Sequence, residues 1–384
     1  KYRIFPNAGG IERITYSLAN ALTTLHGHTC YSIHALENVG TEDMSNVFKQ
    51  SFHVDDEKSL RQALQQIGNG VIVLQTPCPL TKMVLSLKQE LPNFKIVYVY
   101  HASPGYELAP MKWEAIKYRL FHHIDTKWTI KQLCVQILSL ILPNRCMYAF
   151  LRKKYAVPYG RIDKIVLVSL KYIPQYQQIA SGDEGYFTAI PNALSFPAQS
   201  VAELPEKQKE VLIVTRLEEW QKRIATALDI WQIVQKDTRY QDWKLRIVGY
   251  GQDNDFYQNY VKKYAIPNVC FEGLQSPLSY YKQASIFMMT SAFEGFPMTI
   301  METEQCGCVP IVFDNFASAQ DIICDGKNGF LIPNNDKELY AQRLQQLMRD
   351  KSLRKSMSCQ CVTMSKRFTI EKVAAQWNNL LESL

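Results

Sequence analysis

Glu294 and Glu302 stand eight residues apart, on either side of a Gly-Phe-Pro turn, in the stretch SAFEGFPMTIMETEQCGCVP (291–310). The apolar run SIFMMTS (285–291) just ahead reads as a buried parallel strand. The order is therefore strand, acidic loop, helix start. Free N–H groups at a helix N-terminus, with the helix dipole behind them, attract phosphate. A neighbouring carboxylate grips sugar hydroxyls. Together they describe a pocket for a sugar carried on a phosphate. The same residues also fit quieter roles. Thr299 and Glu302 have the spacing of a capping box, in which Glu302 folds back on the helix start. Glu294 fits a solvated loop acid.

Cations follow another strand. In EVLIVTRLEEWQKRIATALDIW (210–231) the strand ends at Thr215, Arg216 comes next, Lys222 lies six residues on, and Arg223 is adjacent. Arginine as a fork and lysine as a point charge can neutralise a diphosphate. On a bare helix start they would be solvated cations. His101 ends the strand in KIVYVYHASPG (95–105). A histidine there can donate to a sugar hydroxyl or phosphate and titrates near neutrality; it can also simply bond a neighbouring loop. Gly9 and Gly10, in RIFPNAGGIERITYSLANAL (3–22), sit where strand turns into helix and would let a backbone approach a ligand, though a Gly-Gly pair is often only a turn. A Gly-x-Gly turn occurs at Gly249 in KLRIVGYGQD (244–253), and Gly273 closes the strand in VCFEGLQS (269–276). Asp253-Asn254-Asp255 is an Asp-x-Asp triplet of the kind that holds a divalent ion, but its place at a helix start favours capping and dipole roles.

The elements around these residues alternate. Strands at 70–77, 95–101, 164–169 and 188–190 are separated by helices, including one at 81–91, and a second series begins at 210. Such alternation implies right-handed βαβ units and parallel sheets. CVPIVFDNFAS (308–318) and DGKNGFLIP (325–333) add two strand-to-loop transitions close to Glu294 and Glu302. Open α/β sheets build ligand crevices at that carboxyl edge. At 384 residues the chain has room for two domains. The first is read as 1–190, a linker as 191–209 and the second as 210–366. The amphipathic helix 367–384 carries Val373, Trp377 and Leu381 on one stripe.

The block TSAFEGFPMTIMETEQCGCVPIVFD resembles the family 4 glycosyltransferases, which are retaining and nucleotide-sugar-dependent. Relatives of this kind assemble bacterial polysaccharides. Their acidic pair E-x7-E matches Glu294 and Glu302. The resemblance spans nearly the whole chain and is closest from Val211 to Leu384. It implies the GT-B fold: two Rossmann-like domains facing across a cleft, with the C-terminal helix crossing back to the first. It also implies a G-G-x-E-R pattern facing the donor diphosphate and the acceptor side, here Gly9, Gly10, Glu12 and Arg13. A strand-end histidine on the donor sugar matches His101. An R-L-x-x-x-K pattern matches Arg216 and Lys222 with one additional residue between them, which leaves Lys222 and Arg223 both open as the phosphate contact. The loops at Gly249 and Gly273 would border the base. Gly295, Phe296, Pro297, Met298 and Thr299 would bind the donor, with the backbone N–H groups near Met298 and Thr299 on its diphosphate, Glu294 on the sugar hydroxyls and Glu302 on the ribose. The implied co-substrate is a UDP- or GDP-sugar, with no cofactor and no metal. The implied acceptor is a saccharide or lipid-linked saccharide. A nucleotide-sugar epimerase of similar fold and a membrane-surface scaffold without turnover are the rival readings. A glycosidase would use two carboxylates but need no diphosphate cradle.

Composition narrows the classes further. Ten cysteines are scattered, with no C-x-x-C pair. That argues against zinc and for a reduced, cytoplasmic setting. No signal peptide is evident. The net charge is +7, and between Lys127 and Ile162 lie seven basic residues and no acid. The same segment holds QLCVQILSLILPN (132–144), too short for a bilayer span of about 20 residues. An apolar stripe beside cations suits a helix lying on an anionic membrane, here the inner face of the plasma membrane. A buried core helix with a basic tail is the other reading. No nucleic-acid motif accompanies the charge.

Overall fold

The computed structural model describes residues 10–35, 47–76, 78–155, 160–196, 200 and 204–384. The chain divides into two compact units. Unit 1 comprises Lys1–Ala102, Arg152–Ser195 and Arg367–Leu384; unit 2 comprises Ser103–Leu151 and Phe196–Lys366. The short strand expected ahead of Gly9, and Gly9 itself, lie outside the described residues.

In unit 1, α1 (Gly10–His26) leads to a parallel pair, β1 (Tyr31–His34) and β2 (Gln50–His53). Then come α2 (Glu57–Ile67), β3 (Gly70–Thr76), α3 (Thr81–Ser86) and β4 (Phe94–Tyr100). The helix expected at 81–91 ends at Ser86 and continues as a tighter turn over Leu87–Glu90. After unit 2's first segment follow β5 (Lys164–Leu167), α7 (Tyr172–Ala180) and β6 (Phe187–Ala189). Strands β3 to β6 pair in that order, all parallel. Their near-continuous apolar runs are what a sheet covered on both faces requires. The closing helix, α16 (Ile370–Glu382), belongs to this unit. Its Val373, Ala374 and Trp377 are buried among Leu18 and Leu22 of α1 and Val97 and Val99 of β4.

Unit 2 opens with α4 (Trp113–Phe121), α5 (Thr126–Ile141) and most of α6 (Asn144–Tyr155). Its sheet is built from β7 (Gln208–Val214), β8 (Lys244–Val248), β9 (Val269–Gly273), β10 (Ala284–Met289), β11 (Val309–Asp314) and β12 (Phe330–Pro333). The helices between and after them are α8 (Glu219–Lys222), α9 (Ile224–Gln235), α10 (Asn254–Lys263), α11 (Leu278–Gln283), α12 (Met298–Gln305), α13 (Ala319–Ile322), α14 (Lys337–Arg349) and α15 (Lys351–Ser365). All six strands run parallel in the order β12-β11-β10-β7-β8-β9. The chain starts in the middle at β7, builds outward to β9, then returns to place β10 on the other side of β7. Such a reversal leaves a crevice beyond the carboxyl ends of the two central strands.

The boundaries differ from the reading 1–190, 191–209 and 210–366. Ser103–Leu151 belongs to unit 2, because Met111, just before α4, and Ala115 and Ile116 on it are buried in the same core as Leu228 and Trp231 of α9. Polar ties fix it there. The Trp220 indole donates to Ala109 O at 2.9 Å, and Lys112 Nζ meets Asp229 at 2.9 Å. Much of the expected linker is also part of unit 2. Lys207 donates to the carbonyls of Tyr281, Lys282 and Cys306 at 3.0, 2.8 and 2.7 Å.

Candidate functional site

The ends of β7 and β10 meet at the reversal point of the unit 2 sheet. Beyond β7, Thr215 leads to Arg216 and then to the single turn of α8, which carries Gln221 and Lys222. Beyond β10, Thr290 and Ser291 lead to Glu294. Lys222 Nζ lies 2.6 Å from Glu294 Oε1, and Gln221 Nε2 donates to Glu294 Oε2 at 3.2 Å. Ala292 N donates to Gln221 O at 2.7 Å and draws the loop onto the helix. Glu294 is only 6% exposed, so it is a held carboxylate and not a solvated loop acid. Arg216 is exposed, paired with Glu218 at 2.7 Å and donating to Gln221 Oε1 at 3.2 Å.

Arg223, adjacent to Lys222, is committed elsewhere. Its backbone is left-handed (φ +46°). Its buried guanidinium donates to Thr290 O at 2.8 Å, Ser291 O at 3.1 Å, Asn334 at 3.0 Å and Asn335 at 2.9 Å. Burial pulls its pKa down to about 10. Arg223 thus staples the end of β10, while Lys222 faces the acid.

The capping box is not formed. Helix α12 starts at Met298 with Pro297 as its N-cap and no side-chain cap, so Thr299 is already inside the helix. Glu302 sits one turn further on, 1% exposed, and accepts from the Tyr281 hydroxyl at 3.0 Å. Phe296, Pro297 and Met298 bury their side chains in the turn before it, with Gly295 and Thr299 partly exposed. Nor does Asp253 cap α10 with its side chain. Its carboxylate accepts from Arg119 and, at 2.8 Å, from Glu219 N.

The Gly-x-Gly turn has its reason inside the protein. Gly249 has φ +138°, and a Cβ there would fall 1.8 Å from Thr215 O; one at Gly251 would fall 2.3 Å from Leu217 O. The two glycines let the end of β8 lie directly on the segment that carries Arg216. Gly273 (φ +70°) and Gly10 have open space where a Cβ would project.

In unit 1, His101 follows β4 and its Nε2 lies 2.5 Å from Gln75 Oε1 on β3. That contact places the proton on Nε2 and leaves Nδ1 as an acceptor. Nδ1 is shut off from solvent and has no partner. Desolvation lowers the pKa to about 4, so the ring is neutral at physiological pH, contrary to the expectation of titration near neutrality. A cavity of about 20 Å³, lined by His101, Gln75, Asn192 and Trp377 among others, lies beside it. That is room for about one water.

Sequence reasoning missed Gln221, Tyr281, Arg119, Glu219 and Gln75. Only Gln221 left a signal, since it flanks Lys222 on the same short helix. The others act through partners remote in sequence. Glu219 is fully buried, accepts from Ala225 N and the Tyr257 hydroxyl at 3.0 Å each, and has its pKa raised to about 7 by desolvation. Among the described residues, no group of three or more His, Cys, Asp or Glu side chains is placed to hold a metal.

The unit 2 sheet is doubly wound with a cation–carboxylate pair at its reversal point, and comparison with known proteins shows that the chain shares the GT-B fold of glycosyltransferases. The chain matches the model of the family described as "Glycosyl transferases group 1" over residues 197–360. It is 25% identical over 377 residues to an uncharacterized glycosyltransferase of Haemophilus influenzae, covering 98% of this chain and 97% of that one. It is 32% identical over 179 residues to the amylovoran biosynthesis glycosyltransferase AmsD of Erwinia amylovora, covering 46% of this chain and 48% of AmsD. The chain thus matches about half the length of that relative. The fold is shared with Anabaena HepE, solved in complex with UDP-glucose, at a TM-score of 0.69 and 13% identity over 100% of this chain and 98% of that one.

Proposed function

We propose that the protein is a retaining, metal-independent hexosyltransferase that moves a sugar from a UDP- or GDP-sugar to a saccharide or lipid-linked saccharide during surface polysaccharide assembly. The observation that carries this reading is the Lys222–Glu294 pair at the reversal point of the unit 2 sheet. AmsD, by its name, serves amylovoran biosynthesis, and HepE was solved with UDP-glucose, which favours polysaccharide assembly and a UDP-sugar.

As the bond to the leaving diphosphate breaks, negative charge grows on its oxygens. Lys222, Arg216 and the backbone N–H groups at Met298 and Thr299 are assigned to that charge, where preorganised donors lower the barrier most. The side chains of Phe296, Pro297 and Met298 are buried, so this turn serves through its backbone. Glu294, held by Lys222 and Gln221, accepts from donor-sugar hydroxyls, and Glu302 is assigned to the ribose. In unit 1, neutral His101 is assigned to the donor sugar. Gly10 and Gly273 have the open space a ligand backbone contact needs, whereas Gly249 acts by seating Arg216. The Asp-x-Asp triplet offers no pair of carboxylates for a cation, because Asp253 is taken by Arg119. That supports turnover in the presence of a chelator. A cytoplasmic location at the inner face of the plasma membrane completes the reading.

The test is thermal-shift screening against nucleotides and nucleotide-sugars, followed by turnover of each hit. A ligand at a hundredfold excess over its dissociation constant adds about 2.7 kcal/mol of stability. Stabilisation by UDP species that is lost in Lys222→Met supports the assignment; no response from folded protein across the panel removes it.

A further inference from the structure

Gln221 stands between a cation and a carboxylate and bonds both. Its Oε1 accepts from Arg216 at 3.2 Å, and its Nε2 donates to Glu294 Oε2 at 3.2 Å and to Phe293 O at 3.4 Å. These neighbours fix which way the amide points, since a guanidinium only donates and a carboxylate or carbonyl only accepts. The three groups step inward from solvent. The Arg216 side chain is 64% exposed, Gln221 is half-buried and the Glu294 side chain is 8% exposed. The main chain of Gln221 is tied to the loop, because Ala292 N donates to Gln221 O at 2.7 Å. The side chain can therefore turn while α8 stays in place.

Such a chain of bonds carries a signal. A donor on the carbonyl oxygen of an amide polarises it and strengthens the bond that its N–H makes at the other end. With Arg216 on Oε1, Nε2 holds Glu294 Oε2 the more firmly. Arg216 also meets Glu218 at 2.7 Å, but a pair this open to water is weak. A diphosphate arriving beyond β7 draws Arg216 away, since a guanidinium bonds a charged phosphate oxygen more strongly than a neutral amide oxygen. The bond from Nε2 to Glu294 then weakens and the amide turns aside. Oε2 becomes the better acceptor for a hydroxyl, while Lys222 still holds Oε1 at 2.6 Å.

We propose that Gln221 is a positioning residue that couples the two ends of the donor: loading of Arg216 by the diphosphate releases Glu294 Oε2 for the sugar. Such coupling is reciprocal, so a sugar on Glu294 tightens the nucleotide by the same factor. This deepens the function proposed above and rests on its assignment of Arg216 to the diphosphate and Glu294 to the sugar.

The experiment is calorimetric titration of UDP, and separately of GDP, into the full chain. Each titration is repeated with glucose, galactose, mannose or N-acetylglucosamine in excess. Two variants are compared with the parent. Gln221→Leu removes both bonds, and Gln221→Glu keeps an acceptor for Arg216 but has no N–H for Glu294. The backbone tie to Ala292 is unchanged in either, and thermal midpoints check the fold. In the parent, one of the sugars should tighten a nucleotide by about fivefold or more, the lower end of ordinary coupling. In both variants the factor should fall to about one, which is no coupling. The factor is a ratio within one protein, so a variant that merely binds nucleotide more weakly does not change it. A factor that survives in either variant overturns the proposal. So does a parent that binds nucleotide but whose affinity no sugar raises, an outcome that leaves the transferase reading in place. Absence of binding of either nucleotide by the folded parent removes both.

Discussion

The Arg119 guanidinium is wholly buried against the Asp253 carboxylate, with one nitrogen donating to both oxygens at 2.9 and 3.0 Å. The same carboxylate accepts Glu219 N, the first amide of α8, at 2.8 Å. The inserted helix α4 is thereby tied to the turn that presents Lys222. Removing one partner of a buried pair strands the other charge and costs about 3–5 kcal/mol. Arg119→Met should destabilise unit 2 by that amount in denaturant unfolding. Adding Asp253→Asn should recover most of the loss, since the amide oxygen still accepts Glu219 N without carrying charge. If the double variant is no more stable than the single one, the stranded charge is not the cause.

Lys222 and Arg223 are neighbours with separate tasks, and their variants should fail differently. Lys222→Met leaves the staple at Thr290 and Ser291 intact and removes a cation from the site. A turnover loss of about 10²–10³-fold is expected, the size typical of losing one preorganised electrostatic contact, with a smaller stability loss than in Arg223→Met because Glu294 keeps its bond from Gln221. Arg223→Met removes four hydrogen bonds from a buried guanidinium. Its expected effect is a stability loss of about 3–5 kcal/mol. The check is kcat and the unfolding midpoint measured on both proteins. A reversed pattern would exchange the two roles.

The strands of unit 2 were readable because a parallel sheet covered on both faces needs uninterrupted apolar runs. VLIV, SIFMM and VPIVF supply them, and each became a strand where expected. The placement of Glu294 beyond a strand end was readable because it is local. Two pairs were hidden for one physical reason. Arg119–Asp253 and Tyr281–Glu302 join residues 134 and 21 positions apart, and spacing along the chain carries no trace of such pairs. The affiliation of Ser103–Leu151 was hidden likewise. Helix α4 has an ordinary amphipathic pattern that would suit either unit, and only packing against α9 decides. The capping box failed for a local reason: the helix begins one residue before Thr299, which moves Glu302 onto the buried face.

Gly249 and Gly273 offer a matched pair of backbone tests. At Gly249 an added methyl would overlap Thr215 O and meet a left-handed backbone at once. Left-handed strain of about 1–2 kcal/mol and overpacking of about 1–3 kcal/mol sum to about 2–5 kcal/mol for Gly249→Ala. Because Thr215 precedes Arg216, donor affinity should fall as well. Gly273→Ala meets only the backbone strain, since its Cβ would project into open space. Thermal unfolding and UDP-sugar affinity of the two variants give the comparison. Equal losses in both would show that the close approach to Thr215 is unimportant.

Glu219 sets a pH dependence of unusual sign. Desolvation raises its pKa to about 7 from an ordinary value of 4.5. Over that interval the folded protein holds a proton that the unfolded chain has released. Its contribution is therefore fully present below pH 4.5 and is lost as pH rises through about 7. The full difference is about 3 kcal/mol at 1.36 kcal/mol per unit. Glu219→Gln keeps an acceptor for Ala225 N and the Tyr257 hydroxyl while remaining neutral throughout. Relative to the parent it should gain stability between pH 4.5 and 7 and hold that gain above. Parallel pH profiles for the two proteins, measured by denaturant unfolding, would mean that Glu219 is ionised in the folded state. The buried carboxyl group would then need a cation close to Oε1, which has no hydrogen-bond partner here.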